Sequence, residues 1–85
     1  MESARYLSYR ANTPMVIIRP VRIIERSKKS NSILIEFNRR EYGRKMVRWL
    51  PLKMMEIWRY QERGENVIEI ELPRWLAEKE GIVKH

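Results

Sequence analysis

Most side chains able to do chemistry in this 85-residue chain are cationic. There are 18 Lys and Arg against 11 acidic residues. All of the acids are Glu; Asp and Cys are absent, and the one His stands last, at His85. The densest group of cations is Arg39, Arg40, Arg44, Lys45 and Arg48, with Tyr42 among them. Lys28 and Lys29 form an earlier pair, and Arg19, Arg22 and Arg26 precede them. Twelve of the 18 are Arg, whose planar fork grips phosphate bidentately and stacks on bases, whereas Lys offers a more hydrated point charge. Such a set suits a polyanion: phosphate contacts give sequence-independent affinity, and Tyr42 can stack on an unpaired base. The candidate nucleic-acid-binding residues are therefore Arg22, Lys28, Lys29, Arg39, Arg40, Tyr42, Arg44, Lys45 and Arg48. The expected partner is DNA or RNA, single- or double-stranded. The competing reading is that these cations solvate an exposed face or pair with Glu69, Glu71 and other acids.

Other chemistries find little support. Hydrolysis needs a positioned nucleophile, base or metal, and the chain offers only Glu and a terminal His. The phosphate-loop pattern GxxxxGK[ST] is absent, and Gly43, Gly64 and Gly81 stand where turns or a helix end are expected. Glu69 and Glu71, at i and i+2, could hold a hard cation, but on an amphipathic strand such a pair is ordinarily the wet face. No catalytic residue, metal ligand, cofactor or small-molecule substrate is expected, so the chain reads as a binding module. The lack of Cys removes disulfides, a thiolate nucleophile and Cys-ligated zinc, and suits a reducing compartment. The longest apolar run, Met15-Val16-Ile17-Ile18, is far short of the roughly 20 residues that span a bilayer. Residues 1–14 hold no apolar signal core. A cytoplasmic protein without a membrane partner is the expectation.

The elements that must position these cations are strands. Residues 1–13 mix Ser, Arg and Tyr with little periodicity and read as a flexible arm, leaving 14–85 as a single small β-rich domain. From Met15 to Arg26 the composition shifts to Val and Ile with interspersed Arg, after Pro20 Val21 and Ile23 alternate with Arg22, Ile24 and Arg26 as in a strand, and Pro20 places that strand at an edge or bulge. After a polar turn at 27–31, Ile33, Ile35 and Phe37 share one strand face. Residues 38–44 form a second turn. In the next strand Val47 and Trp49 share one face, with Met46, Arg48 and Leu50 on the other. Pro51 ends it; 52–55 suits a single turn, and 56–60 another strand, with a helix across 52–61 as competitor. After a turn at Gly64, Val67–Leu72 alternates so that Ile68, Ile70 and Leu72 face a core and Glu69 and Glu71 face water. Pro73 to Glu80 reads as a short helix closed by Gly81 and anchored by Trp75 and Leu76, with Ile82 and Val83 as a clasp. Trp49, Trp58 and Trp75 are expected in the core; an exposed Trp58 would point to a dimer or protein partner.

Together these elements predict a mainly β fold: a small antiparallel five-stranded barrel or sheet, SH3-like or OB-like, with a short C-terminal helix. The charge within it is polarised. Residues 1–48 hold 12 Lys and Arg against 4 Glu, a net +8, whereas 49–85 hold 6 against 7, a net −1. The segments SILIEF, VRWLPLKMMEI and NVIEIELPRWLAEKEGIV, covering roughly residues 32–83, also carry a pattern: an aliphatic strand, W[IL]P, then a strand running into PxWLAxKxG. This resembles a group of short uncharacterised proteins of bacteriophages and prokaryotic viruses. The chain departs from them in having Leu52-Lys53 after the proline, where they tend to have Lys-Ser, and in a more basic 39–45. The resemblance implies a small β-rich viral protein and transfers no functional residues. Abundant Ile, Arg and Glu with a single Gln lean toward a thermophilic source. The function expected is non-enzymatic nucleic-acid binding; the alternative is a protein-interaction or host-factor-modulating role, with a homodimer as one form.

Overall fold

The computed structural model describes the backbone of residues 4–10, 12–39 and 43–84, and the side chains of 12–39 and 43–84. Seven strands and one helix occur among them. β1 (Ala4–Arg10), β2 (Thr13–Ile18), β7 (Glu65–Pro73) and β6 (Glu56–Glu62) form one antiparallel sheet in the order β1-β2-β7-β6. β3 (Val21–Ser27), β4 (Ser32–Arg39) and β5 (Arg44–Pro51) form a second, in the order β3-β4-β5. The helix α1 spans Arg74–Lys79.

Alternation sets the inner faces. In β4, Ile33, Ile35 and Phe37 are buried, and in β7 Ile70 and Leu72 have no exposed surface. Val16 and Ile18 pair in register with Leu72 and Ile70. With Val21, Leu50 and Met55 these residues form one cluster between the sheets, closed by Leu76 and Ala77 of α1 and by Ile82. Proline marks each crossing between the two sheets. Arg19-Pro20 carries the chain from the first sheet to the second, and Pro51 with the 3-10 turn at Leu52–Met54 carries it back. That return is held by the Leu52 amide donating to the Asn31 carbonyl, 3.0 Å. The β6–β7 hairpin closes on Arg63 and Gly64, at φ +53° and +80°, the paired positive angles that a two-residue turn needs to match strand twist.

Several expectations change. The five-stranded barrel becomes seven strands in two separate sheets. A strand from 15 to 26 is two strands, because Pro20 cannot continue a ladder. Ala4–Arg10, an arm by composition, pairs with β2, and a register shift between Arg5 and Ser8 breaks the alternation by which a strand is recognised. Asn38 and Arg39 extend β4, and Arg44 opens β5, so the expected turn at 38–44 is shorter. Others hold: Leu52–Met54 forms the expected single turn and Glu56–Glu62 the expected strand, in place of the competing helix across 52–61.

The three tryptophans do not fill the core: Trp49, Trp58 and Trp75 are 43%, 49% and 51% exposed. Trp49 is in phase with Lys45 and Val47 while Leu50 takes the interior. Trp58 faces out because Ile57 faces in and packs against the core. In α1 the inward positions go to Leu76 and Ala77, so Trp75 does not anchor the helix.

Ile35→Ala should lower stability by about 2–5 kcal/mol, a fall in Tm of more than about 10 °C for a domain of this size. Trp58→Ala should cost about 1 kcal/mol or less. Thermal melts of both variants check this; equal losses would return Trp58 to the core.

Candidate functional site

The seven candidate binding residues that the structure describes do not gather on one surface. Arg39 follows Ile33, Ile35 and Phe37 on the inner row of β4, and Arg48 lies on the inner row of β5, opposite Ile35. Both are half-buried at the end of the core, beside the C-terminus of α1. There the helix closes in a Schellman turn: the Ile82 amide donates to the Ala77 carbonyl, 2.8 Å, the Gly81 amide to the Glu78 carbonyl, 3.1 Å, and Gly81 has φ +72°. Two carbonyls beyond that pattern receive arginines. Arg48 Nε donates to Glu80 O at 2.9 Å, and Arg39 Nη1 donates to Gly81 O. A cation at a helix C-terminus also complements the partial negative charge there. Arg39 and Arg48 thus join the second sheet to the helix instead of lining an outer cationic face.

The outer face of that sheet carries a different set. Lys45, Val47 and Trp49 of β5 stand across from Asn38, Glu36 and Leu34 of β4, and Arg22 and Glu25 of β3 stand across from Glu36 and Leu34. Glu36 Oε1 lies 3.4 Å from Arg22 Nε and 3.8 Å from Lys45 Nζ. The carboxylate is mostly covered, but the side chains of Arg22 and Lys45 keep 71% and 69% of their surface exposed. One Glu shared by two exposed cations leaves a net positive charge, and pairs of this kind contribute little to stability. A depression of about 230 Å³ lies over Arg22, Glu36, Asn38 and Lys45. A second, of about 450 Å³, is bounded by Glu25, Arg26, Ser27, Ser30 and Trp49.

Lys28 and Lys29 are exposed in the β3–β4 turn, at the Trp49 end of this face. Arg44, exposed, opens β5 in register with Arg39. Arg40 and Tyr42 lie outside the described residues. The structure therefore brings Arg22 and Lys45 together, places Lys28 and Lys29 at the other end of the same sheet, and takes Arg39 and Arg48 away. Trp49, absent from the candidate set, sits on the outer row. Its phase with Val47 and Lys45 was the available signal.

The outer face of the β6–β7 hairpin is acidic and aromatic. Arg19 lies over the Tyr60 ring, 5.7 Å from its centre, and pairs with Glu62. Tyr60 Oη donates to Glu69 Oε2 at 3.4 Å. Burial, then the Glu69 carboxylate, raises the Tyr60 pKa, with Arg19 opposing. The Arg19 pKa is raised chiefly by its hydrogen bond to Glu62. Among the described residues no three acidic or His side chains gather as a metal site, and no helix is long and apolar enough to cross a membrane. No family model, curated protein or solved structure matches the chain.

Arg48→Met keeps the aliphatic stem and removes the donor to Glu80 O, so denaturant unfolding should show a loss of about 1–2 kcal/mol. An unchanged midpoint would mean that the helix end does not depend on this arginine. Because folding raises the Tyr60 pKa, its contribution is constant below the unfolded value of about 10 and is lost as pH rises through the folded value. The unfolding free energy followed from pH 8 to 11.5 should fall less steeply above pH 10 in Tyr60→Phe than in the parent protein; parallel curves would remove Tyr60 as a cause.

Proposed function

We propose that the chain binds nucleic acid without catalysis, through the outer face of the β3-β4-β5 sheet. The observation that carries this reading is the separation of charge between strand groups. Residues 21–51 hold 9 Lys and Arg against 3 Glu, whereas 56–73 hold 2 Arg against 5 Glu. On the basic sheet, Arg22 and Lys45 stand exposed at one end and Lys28 and Lys29 at the other, so an extended polyanion can touch both where a small anion cannot. Phosphate contacts supply the affinity, and the exposed Trp49 between them supplies an aromatic surface. Arg39 and Arg48 support this surface from beneath by holding the helix.

A second reading rests on Trp58, half-exposed on β6, which is an edge strand of its sheet. An edge strand with an exposed Trp can take up a protein partner or a second copy of the chain. The two differ in their response to salt, since an apolar interface is nearly indifferent to it.

Fluorescence anisotropy with labelled single- and double-stranded oligonucleotides tests the first reading. Four phosphate contacts imply that affinity falls about 50- to 150-fold between 50 and 200 mM salt. Lys28→Glu with Lys29→Glu, and separately Arg22→Gln with Lys45→Gln, should each weaken binding at least about 10-fold. No binding at 50 mM salt, or binding indifferent to both pairs, would reject the assignment.

A further inference from the structure

Resting on the nucleic-acid reading of the same sheet, we infer that the depression beside Trp49 receives an unpaired base, so that the ligand is single-stranded nucleic acid. Its lining argues against a phosphate site. Glu25 bounds it together with Arg26, Ser27, Ser30 and Trp49, and a carboxylate facing a phosphate would repel it. A base is different: its π-face stacks on an indole, and its ring and exocyclic N–H groups donate to a carboxylate or hydroxyl. Trp49 offers that indole at 43% exposure, with the aliphatic Leu34 between it and Glu25 in register.

The position of the cations agrees with a strand running through this site. From Trp49 to Lys45 is four residues of β5, about 13 Å at the rise of a strand, and both side chains lie on one face. Lys28 and Lys29 lie in the turn that also contributes Ser30. A backbone crossing the sheet would thus meet positive charge on either side of the base-accepting depression. Duplex bases are already stacked and paired, and extracting one costs a few kcal/mol. Trp49 can therefore act on an unpaired base and adds nothing for an intact duplex.

The test compares a single-stranded oligonucleotide with a blunt duplex of the same sequence, at 50 mM salt, against the unaltered protein, Trp49→Ala, Trp49→Phe and the Lys28→Glu/Lys29→Glu pair. The single strand should bind more tightly than the duplex. Trp49→Ala should lower single-strand affinity about 5- to 150-fold while leaving duplex affinity unchanged, and Trp49→Phe should recover much of it. In a Trp58→Phe/Trp75→Phe protein, where Trp49 is the remaining indole, the single strand should quench fluorescence and the duplex should not. This readout does not depend on the folding of Trp49→Ala. If charge reversal abolishes binding but Trp49→Ala changes nothing and the single indole is not quenched, the base site is overturned while the polyanion surface stands. If the unaltered protein binds neither oligonucleotide, both fall together.

Discussion

Two arginines on the carbonyls of Glu80 and Gly81 hold the rest of the molecule in relation. α1 is six residues long, too short to persist by its own hydrogen bonds, and it closes one end of the space between the sheets. Leu76 and Ala77 supply its apolar contact, and Arg39 and Arg48 supply the polar one. A Cβ on Gly81 would lie 3.5 Å from Arg39 Nη1 and 3.9 Å from Arg48 Nη2. Those are ordinary van der Waals distances, and it is the φ of +72° that explains glycine at this point. The last carbonyls of the helix would otherwise depend on water. No buried side-chain nitrogen or oxygen among the described residues lacks a partner.

This arrangement divides the cations by the phase of the strands that carry them. The inner-row Arg39 and Arg48 serve the fold; the outer-row Arg22 and Lys45 face solvent. Because the basic sheet is a contiguous meander from residue 21 to 51, an uneven charge along the chain becomes an uneven charge in space. The hairpin β6–β7 brings its glutamates to the other sheet, away from Arg22 and Lys45. The acid that those two share is Glu36, from their own sheet. The same alternation turns Trp49 outward next to these cations, so an aromatic surface and positive charge come together without either being buried.

Much of this was legible in the sequence. Ile33, Ile35 and Phe37, and Ile68, Ile70 and Leu72, alternate cleanly because each strand has one dry face. Pro73 and Gly81 bracket the helix because one lacks an amide and the other tolerates a left-handed backbone. Arg48 was already in phase with Met46 and Leu50, but the sequence did not say which face of β5 turns inward, since Trp49 on the opposite face was expected in the core. Phase alone, however, does not say what an inward arginine meets. β1 was hidden by its register shift, and the tryptophans by their size: a large apolar side chain suggests burial, but the core is filled by Ile, Leu, Val, Phe and Met.

By itself the chain determined local facts: that 32–37 and 67–72 extend with one apolar face each, that a short helix follows Pro73, and how charge is distributed along the length. Tertiary structure alone decided that two sheets form instead of one barrel, that Arg39 and Arg48 meet a helix end 32 or more residues away, and that Trp49 lies exposed among cations. The physical reason is range. Strand alternation and proline geometry act over a few residues, whereas the partner of a side chain across a sandwich is chosen by packing between segments whose separation in sequence carries no signal of their meeting.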